Sequence, residues 1–259
     1  QMMHSENPKL VTWYTEEANN IIARQTKLFP KVFRGVCAIP QSPAGDLKPL
    51  LPYLEKCVKE QGFVGCLINP DPGEAGGRET PPLGDRYWYP LYEKLCELDI
   101  VGHVHSAGCR SERLSYSLHF INEESIAVVS LLTSSVFKDF PKLKIVMSHG
   151  GGAIPYQYAR FEASAIRRGM ERFSDRMRNL YYDTVLYSAD SLALLFKTVG
   201  ADRCMCGSER PGVGTVKDPK TGKWLDETRH IIEGFEWLSS AEKKMIFEDT
   251  AKKVFKIEA

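Results

Sequence analysis

The chain has 259 residues, 43% apolar and 26% charged, enough for one sizeable α/β core and ordinary for a globular protein. Its 34 basic and 33 acidic residues nearly cancel. That excludes a global field that would draw it to nucleic acid or to an anionic membrane, and an anionic ligand then needs local Arg or Lys. No apolar run has bilayer length, the start has no apolar leader core, and seven cysteines without a CxxC pair predict free thiols in a reducing, cytoplasmic setting.

In chain order, Pro8–Leu28 reads as a helix and Phe33–Ile39 as the first strand-length apolar run. Asp46–Gln61 follows as an amphipathic helix, with Asp46 as N-cap and Gly62 as stop. Phe63–Ile68 is the second strand, and the Pro- and Gly-rich stretch Asn69–Asp85 is a long loop of the kind that carries function. Trp88 and Tyr89 read either as exposed aromatics of a subunit interface, in keeping with a homo-oligomer, or as part of the barrel packing. Ile100–His105 is the third strand. A helix over Glu123–Phe137 capped by Asn122 precedes the fourth, Leu143–Ser148. Then come a helix over Pro155–Phe173, a strand over Asn179–Thr184, a helix over Ser188–Thr198 and a strand over Arg203–Gly207. Helices over Asp226–Leu238 and Ala241–Phe255 close the chain. Cys204 and Cys206 sit in the last apolar run and are expected in the core.

Runs with little polar alternation are strands buried on both faces, as in a parallel sheet covered by helices. Alternation of strand and helix predicts right-handed βαβ units in one domain over 1–259. No strand is followed by GxGxxG, so a barrel fits better than a nucleotide-binding open sheet.

Sites of such folds form at the carboxyl ends of the strands. There the sequence puts Asn69 and Asp71, then His105, then Ser148 and His149, then Asp183, then Ser208, Glu209 and Arg210. Two imidazoles and a carboxylate, His105, His149 and Glu209, make a divalent-metal constellation, with zinc suited to the nitrogens. His103 shares a face with His105 but lies a layer deeper, and is expected as a hydrogen-bonded core residue. Gly150–Gly152 offers either N–H groups to an anion or a plain tight turn. Arg160 and Arg210 are candidate grips for a substrate carboxylate.

These residues carry a resemblance. LEKCVKEQG (54–62), NPDP (69–72), WYPLYEK (88–94), HFIN (119–122), FKDFPKL (137–143), HGGGAIPY (149–156) and Ser208-Glu209 are similar to the amidohydrolase superfamily. The branch is that of the aminocarboxymuconate-semialdehyde and resorcylate decarboxylases, and within it the hydratases of unsaturated oxo-carboxylic acids such as 4-oxalomesaconate. The resemblance implies a (β/α)8 TIM-type barrel, here without its first two strands, and one divalent metal ion, with zinc expected. It implies His105 as a metal ligand, His149 as a metal-proximal proton donor and Glu209 as the eighth-strand acid, Glu in hydratases and Asp in most decarboxylases. Asn69, Asn122, Arg160 and Arg210 would hold a small anionic carboxylate substrate. The family's first-strand HxH pair has no match, and an upstream segment is expected to supply it. The rivals are a non-oxidative decarboxylase and a non-catalytic remnant.

Overall fold

The computed structural model describes residues 4–257. Six strands, β1 (Val36–Ala38), β2 (Gly65–Ile68), β3 (Val101–Val104), β4 (Ile145–Met147), β5 (Tyr181–Asp183) and β6 (Cys204–Met205), form one sheet in the order β1-β2-β3-β4-β5-β6. Every neighbouring pair is parallel. Strands that follow one another in space as in sequence leave no topological switch point, so this is barrel order and not doubly wound order. All six strands lie within the expected runs, trimmed at both ends except β2, which keeps the expected end at Ile68.

The helices are α1 (Pro8–Leu28), α2 (Leu51–Gln61), α3 (Tyr89–Leu98), α4 (Tyr116–Thr133), α5 (Val136–Asp139), α6 (Ile154–Arg167), α7 (Phe173–Met177), α8 (Ala189–Val199), α9 (Arg229–Glu233), α10 (Ser240–Lys244) and α11 (Thr250–Phe255). Gly62 ends α2 in the left-handed region at φ 76°, as expected. Glycine takes that left-handed C-cap without a steric cost. The helix expected from Asp46, however, begins at Leu51 after a 3-10 turn over Lys48–Leu50 and has no side-chain cap. Asp46 accepts from the Lys48 amide at 3.0 Å in the turn before it and is not its N-cap. Four other readings change. The helix expected from Glu123 begins at Tyr116, where the Ser115 side chain accepts from the Leu118 amide, so Asn122 is an interior residue and not a cap. The expected helix over Asp226–Leu238 shrinks to α9. Trp88 is buried, its indole N–H donating to the Pro81 carbonyl at 2.7 Å, and so presents no surface. Cys204 is in the core, but Cys206 is exposed.

Alternation along the strands sorts the side chains. Cys66, Val104, Ile145, Met147, Tyr182 and Cys204 join the large core between sheet and helices. Val101, Val146 and Met205 form a second cluster on the inner face with Val254 of α11, flanked by Tyr181 and Phe255. The C-terminal helix therefore covers the lower inner face, and the inner side chains above it are polar.

Candidate active site

Above that apolar layer, His103, His105, Ser148, His149, Asp183 and Glu209 line one cavity of about 280 Å³. A neighbouring cavity of about 210 Å³ opens between the start of α4 and the loops after β5 and β6. It shares His149 and Glu209 and is walled by Tyr116, Phe120, Leu186 and Val213. The three residues singled out at strand ends do converge: one donor atom each of His105, His149 and Glu209 lies within 4.8 Å of the others.

Each of the three is held from behind. The His105 Nδ1 bonds to the Ser106 carbonyl, which makes Nδ1 the protonated nitrogen and leaves the Nε2 lone pair facing the cavity. Burial pushes the His105 imidazole down, with the neighbouring His149 adding to it, so the neutral, ligand-competent form is favoured. The His149 Nδ1 stands 2.8 Å from both carboxylate oxygens of Glu124, a fully buried residue of α4. Its Nε2 is 3.4 Å from Glu209 Oε1. Burial opposes charge on His149, but the Glu124 carboxylate outweighs it and holds the group up at about 9. The Tyr187 hydroxyl donates to Glu209 Oε2 at 2.5 Å.

His149 and Glu209 both lie in the left-handed region, at φ 48° and φ 55°. Non-glycine residues there cost roughly 1–3 kcal/mol and concentrate at functional sites. His149 follows the end of β4 by two residues and Glu209 the end of β6 by four, and both side chains reach the same cavity.

His103 lies deeper, its Nε2 3.0 Å from the Ser148 hydroxyl, as expected of a hydrogen-bonded core imidazole. Burial first, then the nearby His105 and His149, push it from 6.5 down to about 4. A buried neutral histidine stabilises the fold above its unfolded pKa, and that stability is lost as pH falls through the folded one. We therefore expect about 3 kcal/mol to be lost between pH 6.5 and pH 4. In denaturant titrations across that range, H103Q should show a shallower loss than the parent.

The glycine run resolves to the turn reading. The Gly150 amide donates to Asp183 Oδ1 at 3.1 Å, and those of Gly151 and Gly152 donate to the Ser148 and His149 carbonyls. No N–H of the three is left for an anion. The turn needs glycine sterically: Gly152 has φ 68° and ψ −135°, and a Cβ there would lie 2.5 Å from Ser125 Oγ and 2.6 Å from the Ile121 carbonyl oxygen. Gly152→Ala should lower stability by about 2–4 kcal/mol, read as the shift of the denaturant midpoint.

The four residues expected to hold substrate lie elsewhere. Asn69 is buried; its Oδ1 accepts from the Asp71 amide at 3.1 Å and its Nδ2 is 2.7 Å from His4 Nδ1. Asn122 sits within α4 and lines neither cavity. Arg160 is exposed on α6. Arg210 turns toward Asp226, 3.6 Å away, and stacks over the Trp224 ring. Among the described residues no Lys or Arg lines either cavity. Conversely, the contacts of Glu124 and Tyr187 could not be assigned from sequence position, since neither residue stands at a strand end.

The amidohydrolase family profile matches residues 8–257. The 2-keto-4-carboxy-3-hexenedioate hydratase of Sphingobium sp. is 37% identical over 254 residues, 97% of this chain and 74% of that protein. The gamma-resorcylate decarboxylase of Polaromonas sp. is 27% identical over 267 residues, 93% of this chain and 75% of that protein. Among solved structures, 4-oxalomesaconate hydratase from Rhodopseudomonas palustris superposes with a TM-score of 0.88 at 37% identity, covering 96% of this chain and 74% of that one. A dihydroxybenzoic acid decarboxylase from Polaromonas sp., with bound manganese, superposes at 0.78 with 23% identity, over 98% of this chain and 79% of that one. The fold is thus the (β/α) barrel of these enzymes, with six strands present in the described residues, and the chain belongs to the amidohydrolase family.

Proposed function

We propose that this chain is a hydro-lyase that adds water to an unsaturated oxo-carboxylic acid of the 4-oxalomesaconate type, a product of aromatic-ring breakdown, with a divalent cation as cofactor. The observation that carries it is Glu209, an acid facing His105 and His149 in one cavity, in a chain 37% identical to two hydratases.

The donor set fits a cation. His105 presents a free Nε2 and Glu209 a carboxylate, and the resemblance gives the same pair this task. A bound divalent ion would supply Lewis acidity that polarises substrate oxygens, the chemistry of N and O donors of this kind. Manganese in a relative of the same fold agrees with a divalent ion; zinc suits the imidazole equally.

Glu209 accepts the proton of the attacking water, its Oε2 fixed by Tyr187. His149 gives a proton from Nε2 to the enolate that develops when water adds to the conjugated double bond, and Glu124 stabilises the charged imidazole that this needs. Phe120, Leu186 and Val213 limit bulk water around the reacting atoms. With no Arg or Lys in the cavity wall, a bound cation and the protonated His149 would meet the substrate carboxylates.

Incubation with 4-oxalomesaconate should bleach its conjugated chromophore without release of carbon dioxide, and EDTA should stop the reaction until a divalent ion is restored. Carbon dioxide release from the substrate or from a resorcylate would assign the decarboxylase chemistry of the other relatives instead. No turnover under either condition would overturn the reading.

A further inference from the structure

A second group of donors lies on a face of α4 next to that of Glu124. His119 and Glu123 are four residues apart on that helix and so share a face. Asp71, from the long loop after β2, meets them: one donor atom of each lies within 4.8 Å of the others, and His119 Nε2 is 3.7 Å from Asp71 Oδ2. His119 is fully buried, and neither of its ring nitrogens has a hydrogen-bond partner. A buried imidazole left this way costs roughly 1–3 kcal/mol, and it is aimed at two carboxylates. Asp71 and Glu123 also line a cavity of about 520 Å³ beneath the loop, with Arg78, Thr80 and Leu83, so the place is open to solutes. The loop is already shaped around Asp71, whose Oδ1 accepts from the Gly73 amide at 2.9 Å and Oδ2 from the Ala75 amide at 2.7 Å.

We propose that Asp71, His119 and Glu123 form a second divalent-cation site, separate from the one at His105 and Glu209, that ties the loop after β2 to α4. One imidazole and two carboxylates form a mixed N/O set of the kind that takes Mn²⁺ or Zn²⁺, and a cation there gives His119 the partner it lacks. Phe120 and Glu124 stand next to these ligands on α4, so occupancy also fixes the helix that holds His149.

The test is a titration of the EDTA-treated, dialysed full chain with Mn²⁺, following free Mn²⁺ by electron paramagnetic resonance. The parent should bind two equivalents, E123Q and E209Q one each, and the double variant none. Glu123 is half-exposed on a helix, so E123Q keeps the fold, checked by circular dichroism. If E123Q binds as much as the parent, the second site is overturned while the loss in E209Q still supports the first. If E209Q binds as much as the parent and E123Q one fewer, the second site stands and the proposed function loses its cofactor. As an independent reading, Mn²⁺ should slow tryptic cleavage after Arg78 in the parent and not in E123Q; equal rates in both would contradict the tie.

Discussion

Glu209→Gln should lower kcat for hydration by on the order of 10³-fold while leaving the melting temperature nearly unchanged. The amide keeps the volume, and its oxygen can still accept from the Tyr187 hydroxyl that now holds Oε2 at 2.5 Å. What it loses is the negative charge, and with it both the proton acceptor and the anionic donor beside His105. Glu209 is a loop residue at φ 55° with part of its side chain in solvent, so little packing depends on it. Steady-state kinetics on purified protein decide the matter, and a fall of less than about tenfold would remove Glu209 from the chemistry.

His149→Asn should lower kcat by about 10²–10⁴-fold and leave the cation bound at His105 and Glu209. That combination separates a proton donor from a metal ligand, since a ligand's removal would also release the ion. Glu124→Gln is the companion test. Glu124 holds the His149 imidazole up at about 9, so the protonated donor persists into mildly alkaline solution. Without that carboxylate the His149 pKa falls, and the fraction able to donate declines at lower pH. The alkaline limb of the kcat/KM profile should therefore move toward acid in E124Q, with a loss of about 10–100-fold at neutral pH. An unmoved limb would mean that Glu124 only packs.

The strands were legible because a strand buried on both faces has to be largely apolar, and Gly65–Ile68 and Ile145–Met147 are short, unbroken examples. The site followed from them, since polar residues that end such runs must lie at one edge of a parallel sheet. His105, His149 and Glu209 were found in that way. What was not legible depended on directions that periodicity does not encode. Asn122-Glu123-Glu124 reads as a helix start, because a cap and two acids suit a positive helix end. In the fold, however, Ser115 caps the helix about two turns earlier, and Glu124 is buried to meet His149. Tyr187 reaches Glu209 across 22 positions, a contact that no local pattern signals. Arg160 sits on a helix whose spacing shows amphipathicity but not which face looks toward the barrel mouth.

The placing of a cation between His105 and Glu209, with the His149 imidazole beside it, is best tested by anomalous diffraction from Mn²⁺-soaked crystals. A manganese peak should lie at coordination distance, about 2.0–2.2 Å, from His105 Nε2 and a Glu209 oxygen, with His149 alongside. Density for water alone between those side chains, with manganese bound at other positions, would contradict the assignment.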